Sequence, residues 1–189
     1  MFPRIGVFLF LGFGYFGGMT ELLDLHARQW NLIVSPSNNR LLLAMAYLAH
    51  TTELIVLDCG RKYDPSVIAR AARGREEVID QIKNRRAYIC FEVVKLLEST
   101  PSGKTSIIVL DFLSTFYDEN VKLSTRKFLL ETSIRHFQRL SQTAGLAVSV
   151  YVPPDAPDSI YLFERLKTAA PHISSYAPVE NKTSQLRFF

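Results

Sequence analysis

Four aliphatic residues in a row and then a single acid, Ile107-Ile108-Val109-Leu110-Asp111, constrain this chain more than any other stretch. They lie within Thr105–Glu119, TSIIVLDFLSTFYDE. An aliphatic run without alternation predicts a strand covered on both faces, as at the centre of a parallel sheet flanked by helices. A carboxylate at the C-terminal end of such a strand stands at the edge where open α/β sheets take ligands. It can equally be a polar strand end leading into a turn, and the strand alone does not separate the two.

The flanking segments extend the pattern. Asn31–Val34, Glu53–Asp58 and Leu146–Val152 read as further strands, the second again ending in an acid. Helices are expected over Leu41–His50, from Pro65 to about Arg73, and over Ala87–Glu98, where Ile89, Val93, Leu96 and Leu97 recur at helical spacing. Two more are expected over Phe128–Ala144 and Asp158–Ala170, with a short amphipathic one at residues 20–29. Ser35–Arg40 reads as a polar loop and Gly74–Arg86 as a charged connection. Strands alternating with helices predict an α/β fold, one parallel sheet sandwiched by helices in a single domain. The 189 residues, 48% of them hydrophobic, suffice for one such domain with short extensions.

The ends stand apart from this pattern. Residues 5–18, IGVFLFLGFGYFGG, are apolar but shorter than the roughly 20 residues that span a bilayer. Arg4 precedes the run, yet no A-x-A cleavage site follows it. A start codon set upstream of the true one at Met19, or a loosely ordered extension, accounts for it better than a membrane or export role. Residues 1–18 are thus an apolar N-terminal extension, 19–175 the core domain and 176–189 a C-terminal tail. Cys59 and Cys90 form neither a metal-ligand spacing nor a disulfide framework, and a cytoplasmic setting is the default. His26, His50, His136 and His172 are scattered without a ligand partner at helical spacing, so no metal and no cofactor is expected.

Taken in order, several motifs resemble the RecA/RadA recombinase superfamily, including its RadB branch and the strand-exchange paralogues. The family's V-D-S-L-T-A strand end is matched by Val109-Leu110-Asp111-Phe112-Leu113-Ser114-Thr115. Its Y-I-D-T-E-G-T-F-x-P-E-R-L is matched, without gaps, by Val56 to Ile68. Arg86-Ala87-Tyr88 corresponds to a recurring R-A-Y/F, and Leu140–Val150 to R-L-A-x-x-x-G-V-A-V-V-V. The resemblance covers roughly residues 30–152. It implies a RecA-like sheet, with Asp111 in the position of the acid that orients Mg²⁺ beside bound phosphates.

The departures bear on activity. A phosphate-binding loop reads G-x-x-x-x-G-K-[ST] between the first strand and its helix. Here the G-K-T triplet falls on Asn39-Arg40-Leu41 and the leading glycine on Val34. Glycines let backbone N–H groups converge on phosphate, and neither Val34 nor Asn39 has that freedom. Leu41 has no hydroxyl for Mg²⁺, and Arg40 differs from lysine in shape and reach. The family's water-activating glutamate corresponds to Gly60. Asn39, Arg40, Leu41, Asp58, Gly60 and Asp111 therefore outline a degenerate nucleotide site, and the chain is expected not to be an enzyme. Gly103-Lys104-Thr105 is a decoy, because it precedes a strand instead of following one.

Between Arg61 and Arg86 lie eight basic residues, Arg61, Lys62, Arg70, Arg73, Arg75, Lys83, Arg85 and Arg86, against four acidic ones. Their excess of +4 equals the net charge of the whole chain. Such concentration fits either a phosphate-binding face or a solvated helix face. The resemblance implies an accessory paralogue in homologous recombination or DNA repair, with DNA bound without sequence preference. It would pair with itself or another RecA-family protein as a dimer, and no membrane partner is expected. Two alternatives stand beside it: a nucleotide-binding regulatory domain or weak ATPase with an altered site, and a protein scaffold without DNA contact. The end of the chain, Lys182 to Phe189, faintly resembles a sliding-clamp peptide, though Lys182 and Gln185 stand where glutamine and an aliphatic residue belong.

Overall fold

The structure, a computed structural model, describes Leu23, Leu25 and residues 28–176 except 74 and 76. The apolar extension, the helix expected at residues 20–29 in all but Leu23, Leu25, Arg28 and Gln29, and the clamp-like peptide lie outside the described residues.

Six strands form one sheet: β1 (Trp30–Val34), β2 (Leu54–Asp58), β3 (Ile82–Arg86), β4 (Ser106–Leu110), β5 (Leu146–Val150) and β6 (His172–Ser175). Every pairing is parallel and the order is β3-β2-β4-β5-β1-β6, so β4 stands centrally, as its aliphatic run requires. Alternate residues of β4 feed two cores. Ile107 and Val109 meet α4 (Cys90–Ser99), α5 (Leu123–Ser141) and α6 (Pro157–Ala169) on one face. Ile108 and Leu110 meet α1 (Asn38–Ala49), α2 (Pro65–Ala72) and α3 (Glu77–Asp80) on the other.

Local chemistry sets these elements. Pro65 opens α2 with Asp64 as its cap, whose carboxylate accepts from the Ser66 N–H at 2.8 Å. That bond and the one from the Ser66 hydroxyl hold the Asp64 carboxyl below its ordinary range. On the α5 face, Trp30, Phe112, Phe116 and Phe137 stack with ring centres about 5 Å apart. Such pairs add roughly 0.5–1.5 kcal/mol each beyond the area they bury.

The structure corrects several expectations from the sequence. The connection at 74–86 contains α3 and the strand β3, and β6 follows α6, so the four expected strands become six. Helix α1 starts at Asn38, not after Arg40, and α5 starts at Leu123, because Arg126 of its first turn is buried against Phe116 and Asp158. Phe112–Tyr117 forms a 3-10 helix that packs Phe112, Leu113 and Phe116 under the sheet. Ile89 caps α4 from outside it and is exposed, so it is not part of that helix's apolar stripe.

Candidate functional site

The C-terminal ends of β2 and β4 bring the two strand-end acids together. Asp58 is completely buried and Asp111 nearly so. Asp58 is fully engaged: its carboxylate accepts from the backbone N–H groups of Lys62 at 2.8 Å and Tyr63 at 3.3 Å. Arg86, its register partner on β3, donates to the same carboxylate from Nε at 2.9 Å and lies within 2.8 Å through Nη2. The hydrogen bond that Arg86 donates to Asp58 in turn holds its guanidinium more firmly protonated.

Asp111 ends β4 in the left-handed backbone region, φ 49°, with its N–H donating to the hydroxyl of Ser149 on β5 at 3.0 Å. Burial pushes its carboxyl up to about 6; the charge of Lys62 opposes the rise and that of Asp58 adds to it. The Lys62 ammonium lies 3.8 Å from Asp111 Oδ2 and 4.6 Å from the centre of the Tyr151 ring. Tyr117 and Tyr151 close the cleft, and burial raises both phenols, Tyr151 up to about 12, with the charge of Asp111 as a second cause. Burial likewise raises the Cys59 thiol far above its ordinary value, so it stays protonated and unreactive.

Gly60 has no room for a side chain. A Cβ there would stand 2.3 Å from Asp111 Oδ2 and 2.4 Å from Asp111 Cβ, so the carboxylate of Asp111 occupies that space. Neighbouring contacts fix this arrangement: the Cys59 N–H donates to the Leu110 carbonyl, and the Ser114 hydroxyl donates to the Cys59 carbonyl.

The loop aligned to the phosphate-binding position is short. Val34 is the last residue of β1, paired with Val150 on one side and Ser175 on the other, and only Ser35, Pro36 and Ser37 precede α1. Asn39 and Arg40 face solvent in the first turn of α1, while Leu41 is wholly buried in the core. The first turn of α1 lies against the turn after β2, where the Asn38 side-chain amide donates to the Lys62 carbonyl at 3.1 Å. Among the described residues no group of three or more His, Cys, Asp or Glu side chains stands together as a metal-ligand set. Within the cleft, both carboxylates are met by cations of the chain itself.

The eight basic residues divide by the topology. Arg61 and Arg86 stand at the C-terminal ends of β2 and β3, while Lys62 turns into the cleft. Helix α2 runs back towards the opposite end of the sheet, carrying exposed Arg70 and Arg73, and Arg75 follows. Five strand residues at about 3.3 Å each separate the two ends by roughly 15 Å. Lys83 and Arg85 point out from β3 at the sheet edge, Lys83 paired with Glu53 and Arg85 donating to the Ser99 hydroxyl at 3.0 Å. Tyr88 extends this edge, its ring 5.6 Å from the Arg61 guanidinium. The sequence reading missed Ser149, Tyr117, Tyr151 and the role of Lys62. Ser149 was signalled only by a polar break in an otherwise aliphatic strand.

One parallel sheet of this order with helices on both faces is a RecA-like α/β fold. The crystal structure of the RadB recombinase is similar to it, with a TM-score of 0.62 and 12% sequence identity over 84% of this chain and 80% of that one. No family model matches the sequence, and no curated protein matches it. Among the described residues no helix is long and apolar enough to cross a membrane.

Proposed function

We propose that this chain is a RecA-like protein without ATPase activity that binds DNA as an accessory and assembly factor in homologous recombination or DNA repair. The likeness to a RadB recombinase supports the link to recombination. Absence of catalysis is supported by a three-residue loop between β1 and α1, by buried Leu41 where a hydroxyl would meet Mg²⁺, and by Gly60 with no space for a base. Lys62 and Arg86 supply to the two carboxylates the positive charge that a bound cation would otherwise bring.

The observation that carries DNA binding is the basic edge formed by Arg61, Lys83 and Arg85. No base-reading motif accompanies it, so affinity comes from phosphate contacts and counterion release. Fluorescence anisotropy on labelled oligonucleotides of mixed sequence tests this. With these three cations on phosphates, raising salt from about 50 to 200 mM weakens binding roughly 20- to 40-fold. Replacing Arg61, Lys83 and Arg85 together by glutamine lowers affinity at least about tenfold and flattens the salt dependence, since each lost phosphate contact removes close to one counterion from the slope. Replacing Lys104 in the decoy triplet changes neither. Absence of binding by the intact protein at low salt refutes the DNA role. Assembly with itself or another RecA-family protein is the companion proposal, since β3 and β6 are the two edges of the sheet among the described residues.

A further inference from the structure

The turn after β2 sends two neighbouring cations in different directions. Arg61 reaches out to the basic edge, its guanidinium 5.6 Å from the centre of the Tyr88 ring. Lys62 reaches into the cleft, its ammonium 3.8 Å from Asp111 Oδ2 and 4.6 Å from the centre of the Tyr151 ring. Consecutive α-carbons stand about 3.8 Å apart, and the flexible four-carbon stem of a lysine reaches further than that. The two arms therefore spring from adjoining roots, and the longer reach of Lys62 covers the gap between them.

The backbone of Lys62 is pinned while its side chain is not. Its N–H donates to the Asp58 carboxylate at 2.8 Å, and its carbonyl accepts from the Asn38 amide at 3.1 Å. The ammonium is held more loosely, because its separation from Asp111 exceeds a hydrogen bond and the side chain is 36% exposed at the mouth of the cleft. What keeps it there is the carboxylate. Asp111 is nearly buried, Arg86 is committed to Asp58, and among the described residues Lys62 is the side-chain cation paired with Asp111. A buried carboxylate stripped of its counter-ion is costly, so the arm stays in as long as Asp111 is charged. With Asp111 neutral, only the contact with the Tyr151 ring remains, and a phosphate competes well against it.

We infer that Lys62 is a restrained phosphate contact: Asp111 holds its ammonium inside the cleft, and neutralising that carboxylate releases the arm to join Arg61 at the DNA-binding edge. The inference rests on the DNA role proposed above and adds to it an autoinhibitory contact. Affinity is thereby limited from within the fold, by an acid that itself lies away from the edge.

A double-mutant cycle read by anisotropy on a labelled duplex of mixed sequence tests it. Asparagine keeps the shape of Asp111 and tolerates the left-handed backbone, φ 49°, at that position. Asp111→Asn adds one phosphate contact, which tightens binding roughly 10- to 15-fold at about 50 mM salt and about 4-fold at 200 mM, and steepens the salt slope by close to one. Lys62→Met in the parent leaves the salt slope unchanged, because the parent keeps this cation off the DNA. Combining the two substitutions returns affinity and slope to those of Lys62→Met. Circular dichroism checks each variant for folding, and the Lys62→Met result stands by itself should Asp111→Asn fold poorly.

Unchanged affinity in Asp111→Asn overturns the inference. A gain that survives in the double variant comes from deleting a negative charge, not from freeing Lys62, and overturns it too. So does a slope lowered by Lys62→Met alone, since Lys62 would then already touch phosphate in the parent. Each of these leaves the DNA role standing, whereas no binding by either the parent or Asp111→Asn refutes the DNA role itself.

Discussion

Replacing Arg86 by alanine should destabilise the whole domain, although the residue looks like one of many surface arginines in the sequence. Asp58 is completely buried, and among the described residues Arg86 supplies the side-chain cation in contact with its carboxylate. Removing one partner of a buried pair costs about 3–5 kcal/mol, because a charge remains behind without its counter-ion. Two features reduce that figure here. The Arg86 side chain is 33% exposed, so water shares its charge, and two backbone N–H groups continue to donate to Asp58. We therefore expect about 2–3 kcal/mol. For a domain of this size, 1 kcal/mol corresponds to roughly 2–4 °C, so Tm should fall by about 5–10 °C. Thermal unfolding followed by circular dichroism at neutral pH reads this directly. Asp58→Asn combined with Arg86→Met should recover most of the loss, because the uncompensated charge is gone. A Tm within 1–2 °C of the parent for Arg86→Ala refutes the assignment of this pair to stability. It would also return Arg86 to the residues available for DNA.

Further expectations follow from the same cleft. Asp111 titrates near 6 when folded, against an ordinary value of 3.8, so the folded state holds more protons than the unfolded chain between those limits. This group's contribution to stability therefore falls as pH rises from about 4 to 6, by at most roughly 3 kcal/mol. The difference in unfolding free energy between parent and Asp111→Asn should follow that slope, and a pH-independent difference contradicts it. Gly60→Ala should destabilise by about 1–3 kcal/mol, since its Cβ meets Asp111 atoms inside 2.5 Å. Adding Asp111→Gly should relieve most of that cost, and urea unfolding with no relief refutes the steric account. Lys62→Met should raise the Asp111 pKa further, which side-chain carbon NMR resolves, because a nearby cation that favours the carboxylate is lost.

Sequence pattern revealed the central strands because both their faces are covered. In β4 and β5 every residue but Ser106 is buried, so aliphatic content alone marks them. Edge strands lack that signature. In β3, IKNRR, only Ile82 is buried, and in β6, HISS, three of four residues are exposed, so hydrophobic periodicity has nothing to register. The start of α1 was hidden for a different reason: Asn39 and Arg40 are polar because they face solvent and Asn38 because its amide donates to the Lys62 carbonyl, and such a polar run imitates a loop. Within the cleft, Asp58 and Asp111 were legible as acids closing buried strands. The roles of Arg86 and Lys62 were not. The bond from Arg86 to Asp58 spans 28 positions and exists only because β3 pairs with β2 in that register. Lys62 reads as one more positive charge in a basic run until the turn after β2 brings it over Asp111.

The central claim is that this RecA-like fold binds DNA without using nucleotide. Its most direct test is one anisotropy titration of labelled oligo(dT) at about 50 mM salt, performed with and without saturating Mg·ATP. The two curves should superimpose, because the loop between β1 and α1 has only three residues, none of them glycine, and the cleft acids are already met by Lys62 and Arg86. Curves displaced by Mg·ATP would contradict the account of the cleft, and the absence of binding in both would contradict the account of the basic edge.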